Sequence, residues 1–217
     1  MASTRPILLT GFDPFGGEAV NPSWLVARAL DGATVAGRPV IALRLPTEFR
    51  RSLRVLRTGL TRHAPALVVA LGQAGGRAAL SIERVAINID DARIPDNAGA
   101  QPIDATIVRG GPAAHFSTLP VKAIVAALRA RGVPAVVSQS AGTFVCNHVF
   151  YALQHALAGS RVRSGFVHLP SLPEQAAPRP GEPSLALATM IDGVQEVLRV
   201  AVTHRGADLR EIGGAVS

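Results

Sequence analysis

The sequence is poor in cysteine, lysine and long apolar runs. It has one cysteine, Cys146, and one lysine, Lys122. A single cysteine cannot form a disulfide within the chain, which excludes an extracellular disulfide scaffold. The longest apolar runs, such as residues 64–71, fall short of the ~18 residues that a membrane-spanning helix needs. Only five residues precede the first apolar run, which does not fit a signal peptide, and we therefore expect a cytoplasmic protein with no membrane contact.

Composition nevertheless predicts a folded protein. The chain has 217 residues, of which 48% are hydrophobic and 17% are charged. This balance excludes a disordered chain, and the length is enough for one sizeable core. We find neither an internal repeat nor a linker long enough to separate domains. The prediction is a single domain spanning residues 1–217.

The net charge of +7 raises the question of nucleic-acid binding. The densest basic stretch falls on a helix predicted to begin at Thr47 and to run to about residue 63. On that helix Arg50, Arg54 and Arg57 share one side, with apolar residues on the other. The solvated face of an amphipathic helix explains this charge, and the patch lacks aromatic residues for base stacking. We expect no nucleic-acid partner, and an Arg-rich binding module stays a minor alternative.

Short apolar segments alternate with amphipathic ones along the chain. The predicted strands are 6–10, 40–45, 67–71, 135–138 and 165–169. The predicted helices are 22–30, capped by Asn21, then 47–63, 121–131, 147–157 and 184–204. Residues 82–89 alternate in polarity, which is typical of antiparallel or edge strands. This order predicts an α/β fold: a twisted, mostly parallel (mixed) sheet with helices on both faces.

Active sites of such sheets gather where the strands end. The ends to search follow Thr10, Leu71, Ser138 and Leu169. Beyond Ser138, Cys146 falls where the next helix begins, and a helix N-terminus favours the thiolate and offers N–H groups to an oxyanion. A buried structural cysteine is the alternative. Spacing alone does not separate the two interpretations.

A cysteine nucleophile needs a base and a group that orients it. His168 ends a predicted strand and is well placed as the base, whereas His148 and His155 lie further along the helix of Cys146 and are expected to pack or to meet solvent. Position alone does not choose the orienting acid among Asp13, Glu83, Asp90, Asp91 and Asp96. We find no spacing typical of a metal site.

Aromatic residues are also few, and three of the seven phenylalanines stand in glycine-bearing segments at strand ends. These are Phe12, Phe15 and Phe144. Core packing is the default for any one of them, but together they predict an apolar slot for a small flat group beside the cysteine. Asn21 and Gln73 emerge from the same edge and are suited to hydrogen-bond a lactam or an amide.

At this point the motifs resemble those of the type I pyroglutamyl peptidases, also called pyrrolidone-carboxylate peptidases. The matching segments are TGFDPFGG with NPSW, LGQAGGR, ERVAIN, DARIPDN, GxQP, SQSAGTFVCNH and FVHLPSLPEQ. They occur in family order from Thr10 to Gln175. The resemblance therefore covers most of the chain, whereas the tail of residues 205–217 matches no motif.

The resemblance implies a cysteine exopeptidase that removes N-terminal pyroglutamate from peptides through a thioester and without a cofactor. It implies Cys146 as nucleophile, His168 as base and Glu83 as the orienting acid. It places Arg93 near the reacting carbonyl. It also assigns the pyroglutamyl pocket to Phe12, Phe15 and Phe144, with Asn21 and Gln73 as polar contacts. A homotetramer is implied by the family as well, and a hydrolase of another small amide is the alternative activity.

Overall fold

The computed structural model describes residues 4–214. The last three residues of the tail without a motif, 215–217, lie outside this range, as do residues 1–3. The strands are β1 (Ile7–Phe12), β2 (Thr34–Val35), β3 (Arg38–Leu45), β4 (Leu67–Gln73), β5 (Leu80–Glu83), β6 (Val85–Ile87), β7 (Ala114–Phe116), β8 (Ala135–Ser138) and β9 (Arg163–Leu169). The helices are α1 (Pro22–Ala29), α2 (Phe49–His63), α3 (Val121–Ala130), α4 (Val145–Ala156), α5 (Pro173–Ala176) and α6 (Leu187–Thr203).

Seven strands form one mixed sheet in the order β2-β3-β1-β4-β9-β5-β8. Strands β3, β1, β4 and β9 are parallel to one another. Strand β5 is antiparallel to β9, and β8 is parallel to β5. A separate two-stranded sheet pairs β6 with β7. The predicted α/β fold with a mostly parallel, mixed sheet is confirmed.

One strand-end expectation is wrong. Strands β5 and β8 run opposite to β9. The strand that ends at Ser138 therefore does not end at the edge of the sheet where the strands ending near Thr10, Leu71 and Leu169 do. The short elements β2, β7 and α5, which have two to four residues each, were also not predicted. Elements this short carry too little periodicity to be recognised.

Side chains alternate in direction along each strand, and this divides the core between the two faces of the sheet. In β1, Ile7 and Leu9 pack on the side of α1, α3 and α6. Their neighbours Leu8 and Phe12 pack on the side of α2 and α4. Successive strand residues point to opposite faces, so a continuous buried run supplies both cores at once. We call the second side the α4 face, because it carries the helix of Cys146.

The N-termini of two helices show how loops are fixed near the site. Asn21 caps α1, since its Oδ1 accepts from Ser23 N at 3.0 Å, as predicted. Thr47 does not cap α2. Its hydroxyl donates to the carbonyl of Asp13, and the N–H of Phe49 at the start of α2 instead donates to Asp96 Oδ2 at 2.9 Å. A cap supplied from 47 residues away leaves no local sequence signal.

Among the described residues, no helix has the length and apolar character needed to cross a bilayer.

Candidate active site

A histidine and a glutamate meet on the α4 face of the sheet. Strand pairing sets Ser81 of β5 opposite His168 of β9, so Glu83, two residues on, projects from the same face on the diagonal. His168 Nδ1 donates to Glu83 Oε1 at 2.8 Å, and both side chains are buried. The imidazole is thereby fixed in orientation, with Nε2 left as its free ring nitrogen.

Cys146 is the second residue of α4, and its sulfur lies over β4. A Cβ built on Gly72 would lie 2.9 Å from Cys146 Sγ and 2.8 Å from Phe166 Cζ. Gly72 pairs with His168 in the register of β4 and β9. The sulfur therefore rests on a strand position next to the histidine, in space that only a glycine leaves open.

The surroundings of Cys146 raise the pKa of its thiol and so disfavour the thiolate. Burial first, and then the negative charge of Glu83, raise its pKa to about 12, while the positive charge of Arg77 acts in the opposite direction. The position at the start of α4 is as predicted, and desolvation of the half-buried side chain acts against the thiolate there. This shift favours the protonated thiol in the free protein.

Arg77 touches the same carboxylate as His168. Its Nη1 lies 2.8 Å from Glu83 Oε1, and its Nη2 donates to the carbonyl of Ser140 at 3.1 Å. Arg77 lies in the connection between β4 and β5. Reasoning from the sequence missed it as a site residue. The only local signal was its place at the end of the segment LGQAGGR.

Two of the three predicted slot phenylalanines stand together. The rings of Phe15 and Phe144 have centroids 5.9 Å apart, and both are partly exposed. Phe49, which the sequence did not single out, packs edge-on against Phe144 at 5.4 Å. Phe12 is buried and packs on Phe166, whose ring in turn lies 4.8 Å from that of His168.

The three polar residues predicted for the pocket differ in how many of their hydrogen-bonding groups already have partners within the chain. Asn21 already bonds within the chain, because its Nδ2 donates to the carbonyl of Asp13 and its Oδ1 accepts from Ser23. Gln73 Nε2 donates to Gln175 Oε1 at 3.2 Å, whereas its buried Oε1 has no partner within residues 4–214. Arg93 is exposed. Gln73 thus keeps a free acceptor for a ligand.

The candidate acids and histidines differ in the contacts that they make. Glu83 alone of the five acids bonds His168. Asp90 bonds His148 Nδ1 at 2.7 Å on another side of α4, Asp13 pairs with Arg44, and Asp96 accepts backbone N–H groups. His155 packs beside Tyr151 and His115. No cluster of potential metal ligands occurs among the described residues.

Comparison with known proteins places the chain in a family. The family model for pyroglutamyl peptidases matches residues 5–204. A pyrrolidone-carboxylate peptidase of Ralstonia nicotianae is 59% identical over 96% of this chain and 97% of its own length. One from Klebsiella pneumoniae is also 59% identical, over 96% and 98%. The crystal structure of pyroglutamyl peptidase I from Bacillus amyloliquefaciens superposes with a TM-score of 0.92 at 44% identity, covering 96% of this chain and 99% of that one. A variant pyrrolidone carboxyl peptidase from Pyrococcus furiosus gives 0.88 at 41%, covering 91% and 98%.

Proposed function

The chain belongs to the pyroglutamyl peptidase family, and from this premise we propose that Cys146, His168 and Glu83 carry out its reaction. The activity that the family supports is hydrolytic removal of N-terminal pyroglutamate from peptides. The single observation that carries the assignment of residues is the juxtaposition on the α4 face: an imidazole bonded to a buried carboxylate, beside a sulfur held over Gly72.

The first half-reaction transfers the pyroglutamyl group to sulfur. Because Nδ1 of His168 is bonded to Glu83, its Nε2 accepts the thiol proton as Cys146 Sγ bonds to the pyroglutamyl carbonyl carbon. The carbonyl oxygen becomes an oxyanion, for which the unpaired N–H groups at the start of α4 are donors. The C–N bond then breaks, the leaving amine takes the proton from His168, and a thioester remains on Cys146.

The second half-reaction hydrolyses the thioester. His168 removes a proton from water, the hydroxyl bonds to the carbonyl carbon, and the C–S bond breaks to release pyroglutamate and the thiol. Glu83 holds the ring and stabilises the imidazolium in both halves without taking the proton itself. Arg93, placed near the carbonyl by family resemblance, is proposed as a further donor to the oxyanion.

We assign the pyroglutamyl ring to the slot beside Phe15 and Phe144, with Phe12 as its buried support. A lactam has an N–H donor and a carbonyl acceptor but no charged amine. The buried Gln73 Oε1 supports a role as acceptor for the lactam N–H, whereas Asn21 acts indirectly, by tying the loop of Phe15 to the start of α1. An uncyclised glutamine would bring a charged α-amine into this slot, at a cost on the order of several kcal/mol.

We further propose that residues 1–217 form one peptidase domain that works in the cytoplasm without a cofactor. The sheet supports a single unit, because both helix layers pack on it. Family resemblance supports assembly into a homotetramer, which light scattering of the purified protein tests directly. Its expected peptide partners carry N-terminal pyroglutamate.

The decisive experiment compares fluorogenic amides of pyroglutamate, glutamine and proline. We expect the pyroglutamyl amide to be preferred by at least about 10³-fold in kcat/KM, because only it leaves no charge unpaired in the slot. Cys146→Ala should remove turnover while the unfolding midpoint is kept. Comparable kcat/KM for the glutamine amide would refute the slot, and full activity of Cys146→Ala would refute the nucleophile.

A further inference from the structure

Arg77 and His168 converge on one oxygen of a fully buried carboxylate. Both donors lie 2.8 Å from Glu83 Oε1, and the Glu83 side chain is 0% exposed. The other oxygen, Oε2, is buried and has no partner among residues 4–214. The two donors therefore determine together which carboxylate oxygen faces the imidazole, and a carboxylate that lost one of them would be free to rotate.

The same guanidinium joins this carboxylate to the segment that leads into α4. Nη2 of Arg77 donates to the carbonyl of Ser140 at 3.1 Å, and Nη1 lies 3.4 Å from the hydroxyl of Ser138. That segment connects β8 to the helix that carries Cys146. Arg77 thus links the acid to the turn before the nucleophile, through a planar group with several fixed donors that lysine does not have.

Charge gives Arg77 a second effect on the site. Glu83 raises the pKa of the Cys146 thiol, and Arg77 lowers it. A buried carboxylate also needs a compensating charge, because desolvating an unpaired anion is costly. The half-buried guanidinium, whose side chain is 32% exposed, supplies that charge from the solvent side of Glu83.

We propose that Arg77 is a positioning residue of the peptidase reaction, which fixes Glu83 Oε1 toward His168 and anchors the turn before Cys146. This rests on the proposed roles of Cys146, His168 and Glu83. Arg77 acts through Glu83 and the 138–140 turn.

The test compares Arg77→Met, Arg77→Lys and the matched control Arg84→Met. Arg84 adjoins Glu83 in sequence, but its guanidinium donates to the carbonyl of Gly213. For Arg77→Met we expect kcat to fall by about 10- to 100-fold, as for other residues that orient a reacting group, with KM changed less than about twofold. Arg77→Lys should recover part of kcat, since it keeps the charge but not both donors. Arg84→Met should match wild type.

A second readout needs no substrate. Iodoacetamide labelling of Cys146 should be slower in Arg77→Met than in wild type near neutral pH, because loss of the positive charge raises the thiol pKa further. Labelling of Arg77→Lys should stay near wild type. This arm reports on Arg77 even if the pyroglutamyl amide proves to be the wrong substrate, so failure of the proposed function and failure of this inference are distinguishable.

Two outcomes would overturn the inference. The first is wild-type kcat and wild-type labelling in folded Arg77→Met. The second is a loss of kcat in Arg77→Met that Arg77→Lys does not recover and that leaves labelling unchanged, since a purely structural role would behave in this way. If Arg77→Met does not fold, Arg77→Gln takes its place, with the same expected direction in kcat and in labelling and the same contradicting outcomes.

Discussion

At the scale of single residues, the chemistry of Cys146 depends on what surrounds the sulfur as well as on its place in a helix. The sequence correctly put the cysteine at a helix start, and that position favours a thiolate. Burial cannot be read from a local pattern, and here it raises the pKa of the thiol, together with the charge of Glu83, to about 12. In the mechanism that we propose, Cys146 therefore depends on His168 for its activation.

Labelling and turnover should respond to Glu83→Gln in opposite directions. Glu83 raises the pKa of the Cys146 thiol, so removing its charge lowers that pKa and increases the thiolate fraction at neutral pH. We expect faster iodoacetamide labelling than in wild type across pH 7–9, with both rates rising toward the thiol pKa. Turnover should fall by about 10²- to 10⁴-fold, because the imidazolium loses its counter-charge.

Labelling and kcat measured on the same preparations check this prediction. Slower labelling of Glu83→Gln would mean that Glu83 supports a thiolate–imidazolium pair in the free enzyme, which contradicts a thiol that stays protonated until it reacts. Wild-type turnover would remove Glu83 from the mechanism.

Gly72 leaves open the space that the sulfur of Cys146 occupies. A methyl group there would meet Cys146 Sγ at 2.9 Å and Phe166 Cζ at 2.8 Å. We expect Gly72→Ala to lower the free energy of unfolding by about 1–3 kcal/mol through overpacking. We expect kcat to fall by about 10²-fold because the sulfur is displaced. Gly214→Ala, where a Cβ meets nothing within 4 Å, is the matched control. Unchanged kcat in Gly72→Ala would show that the sulfur does not need this space.

At the scale of elements, what could be predicted from the sequence depended on whether the determinant was local. Asn21 and Pro22 mark the start of α1 by themselves, and the structure agrees. The start of α2 is fixed by Asp96 from a distant loop, so Thr47 was chosen wrongly. The direction of β5 and β8 is a property of the sheet, which no single strand's sequence records.

Asp96 holds the start of α2 and a distant loop together, so its removal should lower the stability of the protein. Its carboxylate accepts from the N–H groups of Phe49, Ala98 and Ala100 at 2.8–2.9 Å. We expect Asp96→Ala to lower the free energy of unfolding by about 1–3 kcal/mol, since a helix start and a loop lose their acceptor together. Denaturant unfolding measures this, with the exposed Asp91→Ala as control. Equal stability of the two variants would contradict the capping role.

At the scale of the whole molecule, one sheet carries two helix layers, and the site lies on one of them. The sequence indicated Cys146 and His168 as candidates from their positions at a helix start and a strand end. It could not choose the acid, because Glu83 reaches His168 across antiparallel strands, and family resemblance made that choice. Neither source assigned a role to Arg77 or Phe49, whose contacts with Ser140 and Phe144 join distant segments.

A shared sheet predicts that both layers unfold together. Trp24, the only tryptophan, packs against the core on the side of α1, α3 and α6, whereas Cys146 packs against the core of the α4 face. Tryptophan fluorescence and pulsed thiol labelling therefore report on opposite layers. We expect the two denaturant midpoints to coincide. Separate midpoints would show that the layers are independent units and would contradict a single domain.

The proposed mechanism requires that a pyroglutamyl group be carried on the sulfur of Cys146, and trapping this thioester is its most direct test. Wild-type protein is mixed with a pyroglutamyl amide in excess, quenched in acid and analysed by mass spectrometry before and after proteolysis. We expect one pyroglutamyl group per chain, located on the peptide that contains Cys146 and absent after treatment with iodoacetamide. A pyroglutamyl group on any other residue, or steady hydrolysis by the fully alkylated protein, would contradict the mechanism.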